Sequence, residues 1–356
     1  MPGQPPIHLF HHTFARGGGM ERYALDISRG LKEAGRKVIF HCIKLDSALA
    51  AELGIETVHY KVAGFPRKLR DYRFFCKVAR AAPALEGVQI SLCRLKVRDA
   101  VTCGGTHCGY ISKMRRLTGP FDLIQIWMER EGYRAARQVV AHSRLCAGEI
   151  AEHYRIPKEK IAVLHPPVGA QFSAPKTPAQ RSEIRRQFGL PEDKTVFLFP
   201  STGHKRKGLG PVVQALAGFQ DRLVLAIAGK PPGRYSAPFV RHLGYVGDMR
   251  NAYAAADFTM LGSFYEPFGL VGIESILSGT KLVFEKNAGC LEVIKPAAAF
   301  TFSVADPESI RRAVTAAINQ ARKKEHFLDD PRASLDYDPD VALHVRKLLQ
   351  LAGEKT

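Results

Sequence analysis

The sequence predicts an α/β architecture of two doubly wound domains in series, facing one another across a cleft, and three observations carry that prediction. Short apolar runs alternate with helical patterns along almost the whole chain, the mark of parallel sheets covered by helices. A proline cluster near the middle, Pro166, Pro167, Pro175 and Pro178, interrupts the alternation as a linker would. At 356 residues the chain is long enough for two domains of ordinary size, each with its own core.

In the first domain, residues 1–170, Ile7 to His11 reads as a strand, Gly17 to Gly19 as a turn, and Glu21 to Ala34 as a helix ending at Gly35. Strands follow at Val38 to Ile43, Ala100 to Cys103 and Gln138 to His142, then a helix from Leu145 to Tyr154 and a strand from Ile161 to His165. In the second domain, residues 171–340, strands are expected at Val196 to Pro200, Leu223 to Ala228, Phe258 to Leu261 and Lys281 to Phe284. Helices are expected around Gly210 to Gly218 and over Arg250 to Ala256, Phe268 to Ser278 and Glu308 to Gln320. A last helix, residues 341–352, is expected to fold back onto the first domain.

Composition bounds the function. Hydrophobic residues make up 46% and charged residues 24%, as in ordinary globular proteins, which excludes a disordered or fibrous chain. A net charge of +18 calls for an anionic partner: nucleic acid, an acidic membrane surface or a phosphorylated substrate. The seven cysteines, Cys42, Cys76, Cys93, Cys103, Cys108, Cys146 and Cys290, form no C-x-x-C pair, which gives a zinc site no local support and fits reduced thiols in a cytosol. Met1 to Pro6 lacks the basic start and apolar core of a signal peptide, and no apolar run approaches the roughly 20 residues that span a bilayer. The expectation is a cytoplasmic protein whose membrane contact, if any, is peripheral.

The sharpest segment runs from Tyr265 to Ser275, YEPFGLVGIES, between a strand and a helix. Gly269 and Gly272 let amides at the helix start approach a ligand closely, and those amides with the helix dipole favour phosphate or a sugar hydroxyl. Glu274 lies within the apolar pattern of Leu270, Val271, Ile273 and Leu277, where a carboxylate must find donors or bear a desolvation cost. Two adjacent ribose hydroxyls would supply both. The plainer alternative has Glu266 capping the helix and Glu274 on its wet edge. The basic run His204 to Lys207 follows the first strand of the second domain, where it reads either as a solvated loop or as an anion clamp.

The whole segment Asn251 to Gly279 resembles the donor-site signature of the retaining glycosyltransferase family 4, which has the GT-B fold of two Rossmann-like domains. The resemblance extends to Gly17-Gly18-Gly19-Met20-Glu21, Val140-Ala141-His142-Ser143, Arg206-Lys207-Gly208 and Gly244-Tyr245-Val246-Gly247. It covers nearly the whole chain and is far more specific in the second half. It implies that Glu274 binds the ribose of a nucleotide-sugar donor, that Glu266 lies beside the transferred sugar, and that Arg206 and Lys207 hold the diphosphate. Gly18, Gly19, Tyr245, Val246, Phe268, Gly269 and Leu270 complete the implied donor site. His107, in Gly104-Gly105-Thr106-His107, resembles the family histidine that faces the donor sugar and the acceptor, although a lone histidine is as readily structural. Fixed cations suit such a reaction on physical grounds, because the departing nucleoside diphosphate gains negative charge as the glycosidic bond breaks.

Other chemistries fit less well. Gly17 to Gly19 is not a dinucleotide fingerprint. The acidic run Asp336-Tyr337-Asp338-Pro339-Asp340 precedes the final helix, where acidic residues ordinarily cap, and the resemblance likewise implies no divalent metal and no cofactor. His8, His11, His12 and His41 read as ordinary strand residues.

For the acceptor, the segment Pro66 to Ala81 carries Arg67, Lys68, Arg70, Arg73, Lys77 and Arg80, with Leu69, Tyr72, Phe75, Cys76 and Ala79 on another face at helical spacing. That pattern suits an anionic membrane surface, or a surface helix packed on its own core. More basic residues follow at Arg94, Lys96, Arg98, Lys113, Arg115 and Arg116. The first half resembles lipopolysaccharide core transferases in HTFARGGGMER and CGGTH, which implies an anionic glycolipid acceptor at the inner face of the cytoplasmic membrane and a hexose or N-acetylhexosamine donor, UDP-glucose or UDP-GlcNAc. A capsular or exopolysaccharide lipid acceptor, a UDP-sugar epimerase of the same fold and a nucleic-acid-binding protein are the alternatives. No helix-turn-helix, zinc finger or RNP-like motif accompanies the charge, so nucleic acid is not expected as a partner.

Overall fold

The structure is a computed structural model, and it describes residues 4–62, 64, 66, 69–172 and 177–354. Arg67, Lys68 and Pro175, named above in the basic segment and the proline cluster, lie outside the described residues. The chain divides into two compact units, Met1–Gly169 with Pro339–Thr356, and Ala170–Asp338.

The first unit contains β1 (Ile7–Phe10), β2 (Thr13–Phe14), α1 (Gly19–Glu33), β3 (Val38–Cys42), β4 (Lys44–Leu45), α2 (Ser47–Leu53), β5 (Glu56–His59) and α3 (Arg70–Ala81). It continues with β6 (Val88–Ser91), β7 (Ala100–Cys103), α4 (His107–Lys113), α5 (Pro120–Ala135), β8 (Gln138–Ala141), α6 (Arg144–Tyr154) and β9 (Ile161–Val163). The second unit contains α7 (Pro178–Gln187), β10 (Thr195–Ser201), α8 (Leu209–Leu216), β11 (Leu223–Gly229), β12 (Val240–Gly244), α9 (Met249–Ala255) and β13 (Phe258–Leu261). After it come α10 (Leu270–Leu277), β14 (Lys281–Glu285), β15 (Ala299–Phe302) and α11 (Pro307–Arg322), and α12 (Val341–Leu351) returns to the first unit.

Each unit is built on one parallel sheet. Strand order is β5-β3-β1-β6-β7-β8-β9 in the first and β12-β11-β10-β13-β14-β15 in the second. Every pairing in both sheets is parallel, so the central strands are covered on both faces and buried throughout. That is why β1, β7, β10 and β13 read as largely apolar runs in the sequence. The edges are different. The edge strand β5, ETVH, is mostly exposed and β12, VRHLG, is polar, and neither was among the expected strands. Nor were β6, β15, α2, α4, α5 and α7. Helix α5 carries exposed Phe121, Leu123 and Trp127 as well as buried Met128 and Tyr133, so its apolar residues mark no single face.

Helix α12 packs on α1 at Gly30, where an added Cβ would lie 2.8 Å from Val341 and 2.9 Å from Val345. Tyr23 and His344 share a hydrogen bond of 3.0 Å across the same seam, and Arg137 donates to the Leu351 carbonyl at 3.2 Å. The capping expected of the acidic run is visible at Asp340, which accepts from Leu343 N–H at 2.7 Å, while Asp338 pairs with Arg332 at 3.2 Å.

In the second unit, buried Asp257 ties three elements together. It accepts from Val196 N–H at 2.8 Å, lies 2.7 Å from Arg185 and 2.9 Å from His326. Burial pushes its carboxyl up, but His326 and Arg185 more than offset that and hold it below the usual range. Removing one member of such a network leaves the others buried and unpaired. Asp257→Ala is therefore expected to lower stability by about 3–5 kcal/mol in urea unfolding. Removing the exposed Arg186, which pairs with Glu183 one turn away, should change it by less than about 0.5 kcal/mol.

Candidate active site

In an open parallel sheet the loops leaving the carboxyl ends of two strands diverge where the strand order reverses. In the second unit the reversal falls between β10 and β13. The loop after β10 carries Arg206 and Lys207, and the loop after β13 carries Ser263 to Gly269, so topology brings together segments far apart in sequence.

The two loops touch. Phe264 N–H donates to the Arg206 carbonyl at 2.9 Å, and Arg206 Nη1 donates to the Tyr265 carbonyl at 2.7 Å. Three side chains converge on one oxygen of Glu266: Ser263 Oγ donates to Oε2 at 2.9 Å, Arg206 Nη1 lies 3.2 Å from it and Lys207 Nζ 3.4 Å. Gly208 permits this approach. It has φ +71°, and a Cβ there would lie 1.9 Å from the Gly262 carbonyl oxygen, an impossible contact.

Glu266 is buried, which by itself pushes its carboxyl up, but Lys207 and then Arg206 outweigh that and hold it below the usual carboxylate range. It is therefore ionised at neutral pH, one carboxylate against two cations, and the cluster retains a positive excess. Lys207 is buried and Arg206 is about one-third exposed, so part of that charge is presented to solvent. Glu266 does not cap the following helix. Gly269, with φ +93°, occupies that position, and α10 has no side-chain cap, which leaves its first amides to other acceptors.

Two expectations at α10 need correction. Gly272 faces the protein interior, where a Cβ would meet Cys290 Sγ at 2.6 Å; its smallness serves helix packing rather than ligand approach. Glu274 is neither on a wet edge nor dependent on a ligand for all its donors. It is 3% exposed, and the Tyr253 hydroxyl donates to its Oε2 at 2.8 Å. Phe268 is buried with its ring 6.3 Å from that of Tyr337, and Leu270 is half-buried. Tyr245, 80% exposed, and half-buried Val246 follow β12 on the same unit.

The remaining expected site residues belong to the first unit. Gly18 precedes α1 and Gly19 is its first residue; both are exposed, the helix has no side-chain cap, and Glu21 lies against Gly17 and Gly18. His107 is the first residue of α4. Its backbone N–H donates to both oxygens of Glu129 at 3.1 and 2.9 Å, and its Nε2 lies 2.8 Å from Asp122 Oδ1. Neither acid is singled out by the sequence, because both lie in α5, a helix whose apolar pattern marks no single face.

The histidines after β1 also differ from expectation. His8 and His41 lie on strands and hydrogen-bond each other at 2.9 Å, but His11 and His12 lie in the turn beyond β1. Burial holds His12 down to about 3 and His41 to about 4, so both are neutral.

On α3 the buried face is Phe74, Phe75 and Val78 rather than the full set expected, and Tyr72 points outward at 37% exposure. Arg70 and Arg80 are exposed, Arg73 and Lys77 half-buried, and Lys77 donates to the Lys61 carbonyl at 2.8 Å. Tyr72 and Phe75 contact Trp127 of α5, and exposed Leu117 and Phe121 lie just before and at the start of α5. Arg94, Lys96 and Arg98 are each paired with a carboxylate, Glu129, Glu131 and Asp99.

Two parallel doubly wound sheets in one chain are the GT-B architecture. Two family models match in tandem, Glycosyltransferase Family 4 over residues 17–172 and Glycosyl transferases group 1 over residues 180–330. A probable transglycosylase of Burkholderia thailandensis is 40% identical over 354 residues, 98% of this chain and 97% of that protein. Among solved structures, WaaG, a glycosyltransferase involved in lipopolysaccharide biosynthesis, superposes with a TM-score of 0.82 at 14% identity, covering 98% of this chain and 100% of its own. Anabaena HepE in complex with UDP-glucose does so with a TM-score of 0.77 at 16% identity, again over 98% and 100%. At those identities the likeness is one of fold. The chain belongs to glycosyltransferase family 4 and is a glycosyltransferase.

Because Gly208 permits the two loops to meet, Gly208→Ala is expected to separate Arg206 and Lys207 from Glu266. Sugar transfer should fall at least about tenfold, the equivalent of roughly 1.4 kcal/mol. Gly233→Ala, at a positive-φ position where an added Cβ meets nothing, separates strain from clash and should retain transfer.

Proposed function

We propose that this enzyme transfers a hexose or N-acetylhexosamine, with retention of anomeric configuration, from UDP-glucose or UDP-N-acetylglucosamine to the lipopolysaccharide inner core at the cytoplasmic face of the membrane. The observation that carries the donor half is the convergence of Arg206, Lys207 and Ser263 on Glu266 at the switch point of the second sheet.

A nucleoside diphosphate leaves as an anion, and donors fixed before the reaction stabilise it without reorganising in the transition state. Arg206 and Lys207 provide two such cations, and the uncapped start of α10 provides oriented amides. Protein cations in that role require no divalent metal. Glu266, ionised and held from three sides, is suited to hydroxyls of the transferred sugar, and Glu274, buried beside Tyr253, to the ribose. No side chain is assigned as a covalent nucleophile; the acceptor hydroxyl attacks from the face that the diphosphate leaves, passing its proton to the leaving phosphate oxygen.

The acceptor half rests on charge. A chain of net charge +18 favours a polyanionic partner, and exposed Arg70 and Arg80 share α3 with exposed Tyr72, whose ring contacts exposed Trp127 of α5, the helix that also carries exposed Leu123. Basic residues interleaved with exposed aromatic and aliphatic side chains suit the interface of an anionic membrane. WaaG, whose fold this chain shares, is a glycosyltransferase involved in lipopolysaccharide biosynthesis, which supports the same acceptor class.

Three outcomes follow. Glu274→Ala should raise KM for the donor, Glu266→Ala should chiefly lower kcat, and Lys207→Ala should impair both; near-normal kinetics in all three contradict the donor assignment. Replacing Arg70, Arg73, Lys77 and Arg80 together by Gln should release the protein from phosphatidylglycerol vesicles in a sedimentation assay. Unchanged binding removes the membrane role. Deleting the gene should shorten the lipopolysaccharide core, read by mass spectrometry, from one hexose or N-acetylhexosamine outward. An unchanged core moves the acceptor to a capsular or exopolysaccharide lipid.

A further inference from the structure

His107 is gripped by acids the donor chemistry does not use. Thr106, which caps α4, donates from Oγ1 to Glu149 at 2.7 Å and accepts from Gly109 N–H at 3.0 Å. The His107 N–H is held by Glu129, a fully buried carboxylate that also accepts from Arg94 Nε at 2.7 Å and from the Tyr154 hydroxyl. These contacts fix the backbone of His107. The ring has a separate partner, Asp122, at 2.8 Å from Nε2, while its Nδ1 hydrogen-bonds no described residue.

The two oxygens of Asp122 have different duties. Oδ2 accepts from Gly119 N–H at 2.8 Å at the start of α5 and lies 3.5 Å from Arg116; Oδ1 faces His107. The Gly119 N–H, then His107 and Arg116, hold the carboxyl below its usual range, so it is ionised at neutral pH. An ionised carboxylate only accepts hydrogen bonds. Whenever the ring carries a single proton, that proton must then reside on Nε2, and Nδ1 keeps its lone pair.

We propose that Asp122 is a positioning residue that holds His107 as its Nε2–H tautomer, so that Nδ1 accepts a hydrogen bond from a hydroxyl of the bound sugar. The hydroxyl half rests on the reading of His107 as a substrate-facing residue; the tautomer half does not. Asp122→Asn is a sharp test because its amide is not free to turn. Gly119 N–H requires an oxygen, which directs the amide NH2 towards His107, makes Nε2 the acceptor and moves the proton to Nδ1. The cap is kept while the tautomer is inverted.

Nitrogen-15 spectra of the full chain labelled on histidine, with His107 assigned from the missing signal in His107→Gln, read the tautomer directly. Nε2–H in the parent and Nδ1–H in Asp122→Asn are expected. Turnover should fall at least tenfold with KM for the donor nearly unchanged, using whichever of UDP-glucose and UDP-N-acetylglucosamine the parent consumes. Nδ1–H in the parent, or the same tautomer in both proteins, overturns the proposal. An inverted tautomer with unaltered turnover upholds the hold of Asp122 on the ring and overturns the sugar contact at His107. Should Asp122→Asn not fold, Asp122→Ser keeps an acceptor for Gly119 N–H but cannot reach His107. Loss of the Nε2–H preference there supports the proposal, and its persistence overturns it.

Discussion

A carboxylate taken out of water must be met by donors, and Glu266 meets that requirement where the loops after β10 and β13 converge. Its ionisation depends on Lys207 and Arg206, and their positions depend on Gly208 passing against the Gly262 carbonyl. On the proposed reading, the same carboxylate anchors the cations that would receive a departing diphosphate and accepts from hydroxyls of the transferred sugar. Stability and chemistry at this point are one interaction. An uncharged residue at position 266 would leave two cations repelling one another in a half-buried loop.

Buried acids organise the rest of the molecule in the same manner. Asp257 joins β10, α7 and the segment at His326; Glu129 joins α4, α5, α6 and Arg94; Glu149 holds the cap of α4. The chain carries a net charge of +18. Carboxylates buried in the interior are withdrawn from the surface while most lysines and arginines remain on it, so the exterior is more basic than its share of charged residues suggests. Long-range attraction to an anionic partner and internal order thus draw on the same division of charge.

Legibility in the sequence followed apolar composition more closely than burial, since the central strand β6, VQIS, is largely buried yet was not among the expected strands. Strands covered on both faces, such as β7 and β13, stood out to the residue as apolar runs, and α10 stood out because its apolar pattern follows Gly269. Edge strands β5 and β12 were lost because one side faces water and their residues are correspondingly polar. Helix α5 was lost for the opposite reason, since apolar residues lie on its exposed face as well as its buried one. At the site, Glu266, Glu274, Arg206 and Lys207 were legible through their motif, whereas Ser263 and Tyr253, which donate to the two glutamates, carried no signal that distinguished them from ordinary loop and helix residues.

What the sequence determined by itself was the class of fold, the family and the identity of the charged residues, because periodicity and motif spacing are local properties of a chain. Which oxygen meets which donor was decided only by tertiary structure. Arg206 reaches Glu266 because a parallel sheet reverses its strand order between β10 and β13, and His107 reaches Asp122 because α5 packs beside α4. Those contacts set whether a carboxylate is ionised and which nitrogen of a histidine carries its proton. Both depend on the distance between groups remote in sequence, and that distance is a property of the packed sheets and helices alone.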